Sequence, residues 1–157
     1  MTEFVHHVKP NGGTPTGRIL ANCRTGRGHR AVSTWSAGGE LLNISFPPSL
    51  PDPGCQGSVV NQAGVLYQSN ANTSRPSCKG KDRDCGRNRM AIKQSTDGGS
   101  WQPLADVWGG AAAYSQLVAL GNHQLGLLFE AGAPGGSPYD SIVWTTISTT
   151  GAAAQDP

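Results

Sequence analysis

A chain of 157 residues is long enough to bury one substantial core. Its 22 Gly and 11 Pro, about a fifth of all positions, imply many tight turns while staying below the share that marks low-complexity disorder. Twelve Lys and Arg against ten Asp and Glu leave a net charge of +2 with no long single-sign run, which argues against a nucleic-acid or membrane-surface protein.

No window of eleven or more residues carries a sustained i, i+3, i+4 apolar stripe, so helices are not expected. No apolar run approaches the roughly 18 residues that span a bilayer. Met1 is followed by Thr-Glu-Phe-Val instead of a basic and then apolar leader, so no export signal is read. Short β-branched, apolar or alternating runs recur from the N-terminus onward: Glu3–Val8, Arg18–Arg24, Arg30–Trp35, Ser58–Val60, Gly64–Gln68, Met90–Ser95, Ala113–Ala119, Leu125–Glu130 and Ser141–Ser148. Asn-Gly-Gly, Ala-Gly-Gly, Asp-Gly-Gly and Gly-Asn clusters separate them and supply the positive φ angles of hairpin turns. The pattern predicts an all-β fold: a sandwich, a barrel or propeller blades.

Early in the chain, Gly26-Arg-Gly28-His-Arg-Ala31 fits a Gly-x-Gly-x-x-Ala fingerprint. A nucleotide site needs that motif to open a helix, and here it runs into the strand Val32–Trp35. Two Asn-x-Ser sequons, at Asn43 and Asn72, and four cysteines point to an oxidising parent compartment. Cys78 and Cys85 flank a polar turn and are placed to close a hairpin-tip disulfide, while Cys23 and Cys55 sit in strand-like settings that suit buried thiols equally well. The basic stretch Lys79–Arg89 is interrupted by Asp82 and Asp84 and reads as a solvated loop. A zinc site is disfavoured, because no Cys-x-x-Cys pair occurs and adjacent His6 and His7 point to opposite faces of a strand. The Gly-x-Ser-x-Gly elbow of a serine hydrolase and the His-Glu-x-x-His pair of a zinc protease are also lacking.

The turn Ser95-Thr96-Asp97-Gly98-Gly99-Ser100-Trp101 narrows the choice of fold. It resembles the Asp-box, a Ser-x-Asp-x-Gly turn followed by an aromatic, found between the outer strands of propeller blades. Asp97 accepts from backbone N–H groups of its own turn, the glycines Gly98 and Gly99 take the positive φ positions, and Trp101, one residue sooner than usual, covers the blade. Ser33 to Gly39 has the same strand-then-Gly-Gly layout without the aspartate.

Further segments, collinear from Glu3 to about Ser148, resemble the C-terminal half of the sialidase family. Arg18–Arg24 is similar to the strand ending in the second arginine of a substrate-binding triad. Leu50-Pro-Asp-Pro-Gly-Cys-Gln-Gly-Ser58 and Val65–Asn70 match a Leu-Pro-Asp-Pro-x-Cys-x-x-Ser segment and the strand ending in Ser-Asn. Arg87-Asn-Arg-Met-Ala-Ile-Lys93 resembles the stretch that opens with the third arginine, a role the register gives to Arg87 and not Arg89. Ala113-Tyr114-Ser115-Gln-Leu117 looks like the segment of the catalytic tyrosine, and Leu127–Glu130 with Tyr139–Ile142 matches the closing strands.

The resemblance implies a six-bladed β-propeller with about half its blades in this chain: residues 1–150 would form the propeller portion and 151–157 a disordered tail. It also implies a retaining exo-α-sialidase acting on sialylated glycans, glycoproteins or glycolipids, with no cofactor or metal and a secreted, extracellular or lysosomal parent. Tyr114 would be the nucleophile, Glu3 its base, Arg24 and Arg87 the carboxylate clamp, and Glu130 the support of the first arginine. That first arginine and the Asp general acid belong to the N-terminal half of the fold, which is expected to be missing. The chemistry follows from the substrate. Sialic acid bears a carboxylate on its anomeric carbon, which planar guanidinium groups hold through bidentate bonds. A neutral phenol avoids the repulsion that an attacking carboxylate would meet; sialidases are a known exception to the two-carboxylate scheme. A phenol of ordinary pKa about 10 needs an adjacent base. The competing reading is a non-catalytic Asp-box module that binds a glycan or a protein.

Overall fold

The structure, a computed structural model, describes residues 17–73 and 86–150 together with the backbone of 2–7. The proposed Cys78–Cys85 pairing, residues 79–85 of the basic stretch and the tail 151–157 lie outside the described residues.

Among the described residues there is no helix, as the missing 3.6-residue periodicity predicts. Strands β1 (Thr2–His7), β2 (Ile19–Cys23), β3 (Ala31–Trp35) and β4 (Leu41–Ser45) form an antiparallel meander with the four-stranded form of a propeller blade. A second antiparallel sheet contains β5 (Ser58–Gln62), β6 (Val65–Ala71), β7 (Asn88–Ser95), β8 (Gln102–Gly121), β9 (Gln124–Gly132) and β10 (Ser141–Ser148), also in sequential order. Strand β8 is 20 residues long and is shared: its first half pairs with β7 and its second with β9. Register breaks between Asn88 and Met90 and between Ala112 and Ser115 let the sheet bend there. The bend needs a glycine at 110, since a Cβ would stand 2.5 Å from the Gly132 carbonyl oxygen.

Two strands depart from the sequence expectation. Leu41–Ser45 pairs with β3, yet Leu41, Leu42 and Ile44 all remain exposed, so no alternation marked it. The first half of β8 contains Pro103 and Gly109-Gly110, which look like punctuation but lie within the strand.

The core has two large clusters and a small one of Cys55, Ala71 and Ala113. Met90, Ile92, Leu117, Leu125, Leu127 and Phe129 fill the larger sheet. Leu20, Val32, Leu50, Val59, Leu66 and Trp101 join the two sheets, which puts the Asp-box tryptophan, 2% exposed, at the seam between them.

The Asp-box turn has the hydrogen bonding its sequence predicts, but of its two glycines only Gly98 takes a positive φ, 74°, and Gly99 does not. Ser95 Oγ accepts from the N–H groups of Asp97 and Gly98, at 3.3 and 2.8 Å. Asp97 Oδ1 accepts from Gly99 and Ser100, both at 2.8 Å, and Trp101 Nε1 donates to the Gly98 carbonyl. In the Ser33–Gly39 region a hairpin turn does follow β3, but Ser36 Oγ holds it, by accepting from Glu40 N. The Ser100 N–H, with that of Gly99, holds the Asp97 carboxyl below the usual carboxylate value. Stability from this group is therefore present above the ordinary carboxylate range and is lost as pH falls through the folded-state value. Replacing Asp97 with Ala should cost about 1 kcal/mol at neutral pH, as loss of a cap does. Thermal unfolding should show a Tm drop of about 3 °C, and variant and parent should converge in strong acid.

Asn72, one of the two sequon asparagines, is engaged internally. Lys93 Nζ donates to Asn72 Oδ1 and to the Ser49 carbonyl, both at 2.6 Å, and burial lowers the Lys93 pKa to about 8.

Candidate active site

Four segments distant in sequence meet at one end of the sheets: the end of β2, the loop before β5, the start of β7 and the bend of β8. Tyr114 stands at that bend, 37% exposed. Arg24 Nη1, arriving from the end of β2, lies 3.4 Å from the Tyr114 hydroxyl oxygen and donates to it. Arg87, just before β7, places its guanidinium carbon 5.5 Å from the centre of the Tyr114 ring. Glu130 on β9 accepts from the Tyr114 backbone N–H through Oε2 at 3.1 Å. Of the residues expected from sequence, Arg24, Arg87, Tyr114 and Glu130 are thus brought together.

Arg89 points elsewhere. In a regular strand it would share a face with Arg87, but its φ of 57° at the bulge breaks the alternation. It pairs instead with Asp106 at 3.4 Å, in the open. The backbone of Glu3 pairs with Asn22, two residues before Arg24; its side chain is outside the described residues. The Asp-box sits at the other end of β7, about 25 Å from Arg87 by the rise of a strand, and takes no part in this cluster.

The floor of the site was not singled out by sequence reasoning. Cys55 is fully buried and packs with Ala71 and with Ala113, the residue before Tyr114. Burial pushes its thiol up to about 12, against the pull of nearby Arg87. At neutral pH it is an inert thiol and no rival nucleophile. Beneath it, Arg30 and Asp52 form a buried pair at 3.5 Å, 1% and 0% exposed. Arg30 also donates to Asn22 Oδ1 and, at 3.1 Å, to the Cys55 carbonyl, while Asp52 Oδ1 accepts from Cys55 N at 3.1 Å. This network joins the strand that carries Arg24 to the loop that carries Gln56. Beside Tyr114 a cavity of about 240 Å³ is lined by Gln56, Gln116, Leu128, Glu130 and Ile142. A second cleft of about 390 Å³ lies on the Arg87 side, among Gly109, Gly110 and Pro134–Gly136. Among the described residues no three metal-ligating side chains converge.

The chemistry this allows is specific. Two guanidinium groups and a partly exposed phenol share a small volume, an arrangement that suits an anionic ligand next to an oxygen nucleophile.

No model of a known protein family matches the chain. It is similar to an exo-alpha-sialidase of Arthroderma benhamiae, 27% identical over 132 residues, which are 75% of this chain and 30% of that protein. It is 32% identical over 130 residues to a sialidase of Micromonospora viridifaciens, covering 74% of this chain and 18% of the relative. The chain therefore spans less than a third of the length of these curated relatives. Among solved structures, the Hadza microbial sialidase Hz136 superposes with a TM-score of 0.59 at 26% identity, over 84% of this chain and 25% of that one. The intramolecular trans-sialidase from Ruminococcus gnavus, solved with oseltamivir carboxylate, superposes with a TM-score of 0.63 at 18% identity, over 94% and 32%.

Proposed function

We propose that this chain, a sialidase-family partial β-propeller, contributes the nucleophile and two carboxylate-binding arginines to an enzyme that releases terminal sialic acid from glycoconjugates. The observation that carries the reading is the convergence of Arg24 and Arg87 on Tyr114, at 3.4 Å to its hydroxyl and 5.5 Å to its ring. In the proposed reaction both guanidinium groups hold the sialic acid carboxylate, and Tyr114 Oη attacks the anomeric carbon. The glycosidic C–O bond breaks as the leaving oxygen takes a proton from a general acid, which the family resemblance assigns to the N-terminal half of the propeller. Glu3 accepts the phenolic proton. Water then cleaves the sialyl-tyrosine bond, and two inversions give net retention. Glu130, through the Tyr114 N–H, fixes the β8 bend; its expected role behind the first arginine belongs to the same proposal.

The test is release of fluorophore from a 4-methylumbelliferyl sialoside, by this chain and by this chain joined to the N-terminal half of a sialidase propeller. Arg87→Ala should lower kcat/KM on the order of 10²-fold, the loss of a charge-assisted bidentate contact. Arg89→Ala should leave kcat/KM within about twofold, because an exposed ion pair contributes little. Equal effects of the two substitutions, or cleavage of a neutral hexoside at the same rate, would remove the assignment.

A further inference from the structure

We infer that Tyr139 is the positioning residue for Arg87, an inference that rests on the carboxylate-binding role proposed for that arginine. Tyr139 lies in the turn between β9 and β10, 52 residues from Arg87 in sequence. Its hydroxyl accepts a hydrogen bond from Arg87 Nη1, and its ring centre is 5.9 Å from the Arg87 guanidinium carbon. The Tyr139 hydroxyl on one side and the face of the Tyr114 ring, 5.5 Å away, on the other thus bracket the guanidinium.

The bracket accounts for the type of residue at 139. An arginine side chain is long, and fixing it for a bidentate contact costs rotamer entropy. The Tyr114 face restricts its tilt through cation–π contact, but does not fix rotation of the guanidinium in its own plane. A hydrogen bond to Nη1 does, and only the phenol oxygen of Tyr supplies it; Phe would not. The phenol oxygen is also uncharged, so this bond orients the guanidinium without cancelling its charge. A carboxylate in its place would orient Arg87 but offset its positive charge and weaken its hold on an anion. A guanidinium has five N–H donors, so a bond to Tyr139 through Nη1 engages only part of its donor set. Tyr139 is itself 52% exposed, so its contribution to the core is small.

The experiment is an NMR titration of the isotope-labelled full chain with free sialic acid and, separately, with its carboxyl methyl ester, a close analogue without the negative charge. The parent should bind the acid more tightly than the ester. Tyr139→Phe should raise Kd for the acid about 3- to 10-fold, the scale of one ordinary net hydrogen bond acting through Arg87, and leave Kd for the ester unchanged. Tyr139→Ala, which also removes the ring, should raise it further. Both variants should unfold at the parent Tm. If Tyr139→Phe binds the acid as the parent does, the positioning role is overturned while the arginine assignment stands. Equal weakening of acid and ester, or a lowered Tm, would mark a merely structural residue and also overturn it. A parent that binds acid and ester alike would remove the reading beneath both.

Discussion

Tyr114→Phe should abolish sialoside hydrolysis, with kcat falling on the order of 10³-fold or more, because removal of a nucleophile leaves only binding and charge stabilisation. The substitution deletes one oxygen. The ring stays, and with it the 5.5 Å contact to Arg87 and the Glu130 bond to the backbone N–H. Substrate binding should therefore persist, with KM for the sialoside within a few-fold of the parent while kcat collapses. That split discriminates between an attacking hydroxyl and a residue that merely lines the pocket. A neighbouring thiol offers no bypass, since Cys55 is buried and stays protonated at neutral pH. Trapping with a 2,3-difluoro sialic acid, which loses fluoride from C2 to the nucleophile and is slowed in hydrolysis by the C3 fluorine, and mass mapping of the adduct is the direct measurement. An adduct on the peptide of Tyr114 in the parent and none in the variant is expected. Full turnover by Tyr114→Phe would leave the glycan- or protein-binding module as the better reading of the same fold.

The sequence carried the architecture because β-propeller blades are local. Each strand pairs with its sequence neighbour, so short apolar runs and Gly-rich separators are enough to set the order from β1 to β10. Where that logic fails, the reason is physical. Strand β4 keeps Leu41, Leu42 and Ile44 exposed, so its pattern reports no buried face. The first half of β8 was masked by Gly109-Gly110, of which Gly110 serves close backbone approach at a bend rather than chain reversal.

The site was legible only in part. Arg24, Arg87 and Tyr114 could be named from collinear motifs, yet nothing in their spacing of 63 and 27 residues says that they touch. Arg87 and Arg89 are two apart, and strand alternation alone would make them equivalent; the positive φ at Arg89 separates them. Tyr139 and Asp52 fell within segments that carry the resemblance, but nothing in the sequence set Tyr139 against Arg87 or paired Asp52 with Arg30. An isolated Arg in sequence is ordinarily a surface residue, and only the fold shows this one fully enclosed.

That enclosure makes Arg30→Met the substitution with the largest expected effect on stability, a loss of about 3–5 kcal/mol at pH 7, typical of stripping one partner from a buried ion pair. Arg30 neutralises Asp52, bonds Asn22 on β2 and holds the Cys55 carbonyl, so its removal strands a carboxylate with no exposure to water. A total stability of about 5–15 kcal/mol is usual for a domain, so the loss could consume much of it. Burial already raises the Asp52 carboxyl above its ordinary value, while Arg30 pulls it down; without Arg30 the upward shift should grow. A folded-state pKa above the unfolded one means that the folded form binds the proton more tightly. The destabilisation of the variant should then be fully present at neutral pH and shrink as acid protonates Asp52. Urea unfolding of parent and variant at several pH values checks the sign. The double variant Arg30→Met with Asp52→Leu should recover most of the loss at pH 7, because no unpaired charge remains. A single variant as stable as the parent would show that the pair does not hold this loop. With the loop loosened, Cys55 should become reactive to thiol reagents, and the floor beneath Arg24 and Tyr114 should lose its shape together with the fold.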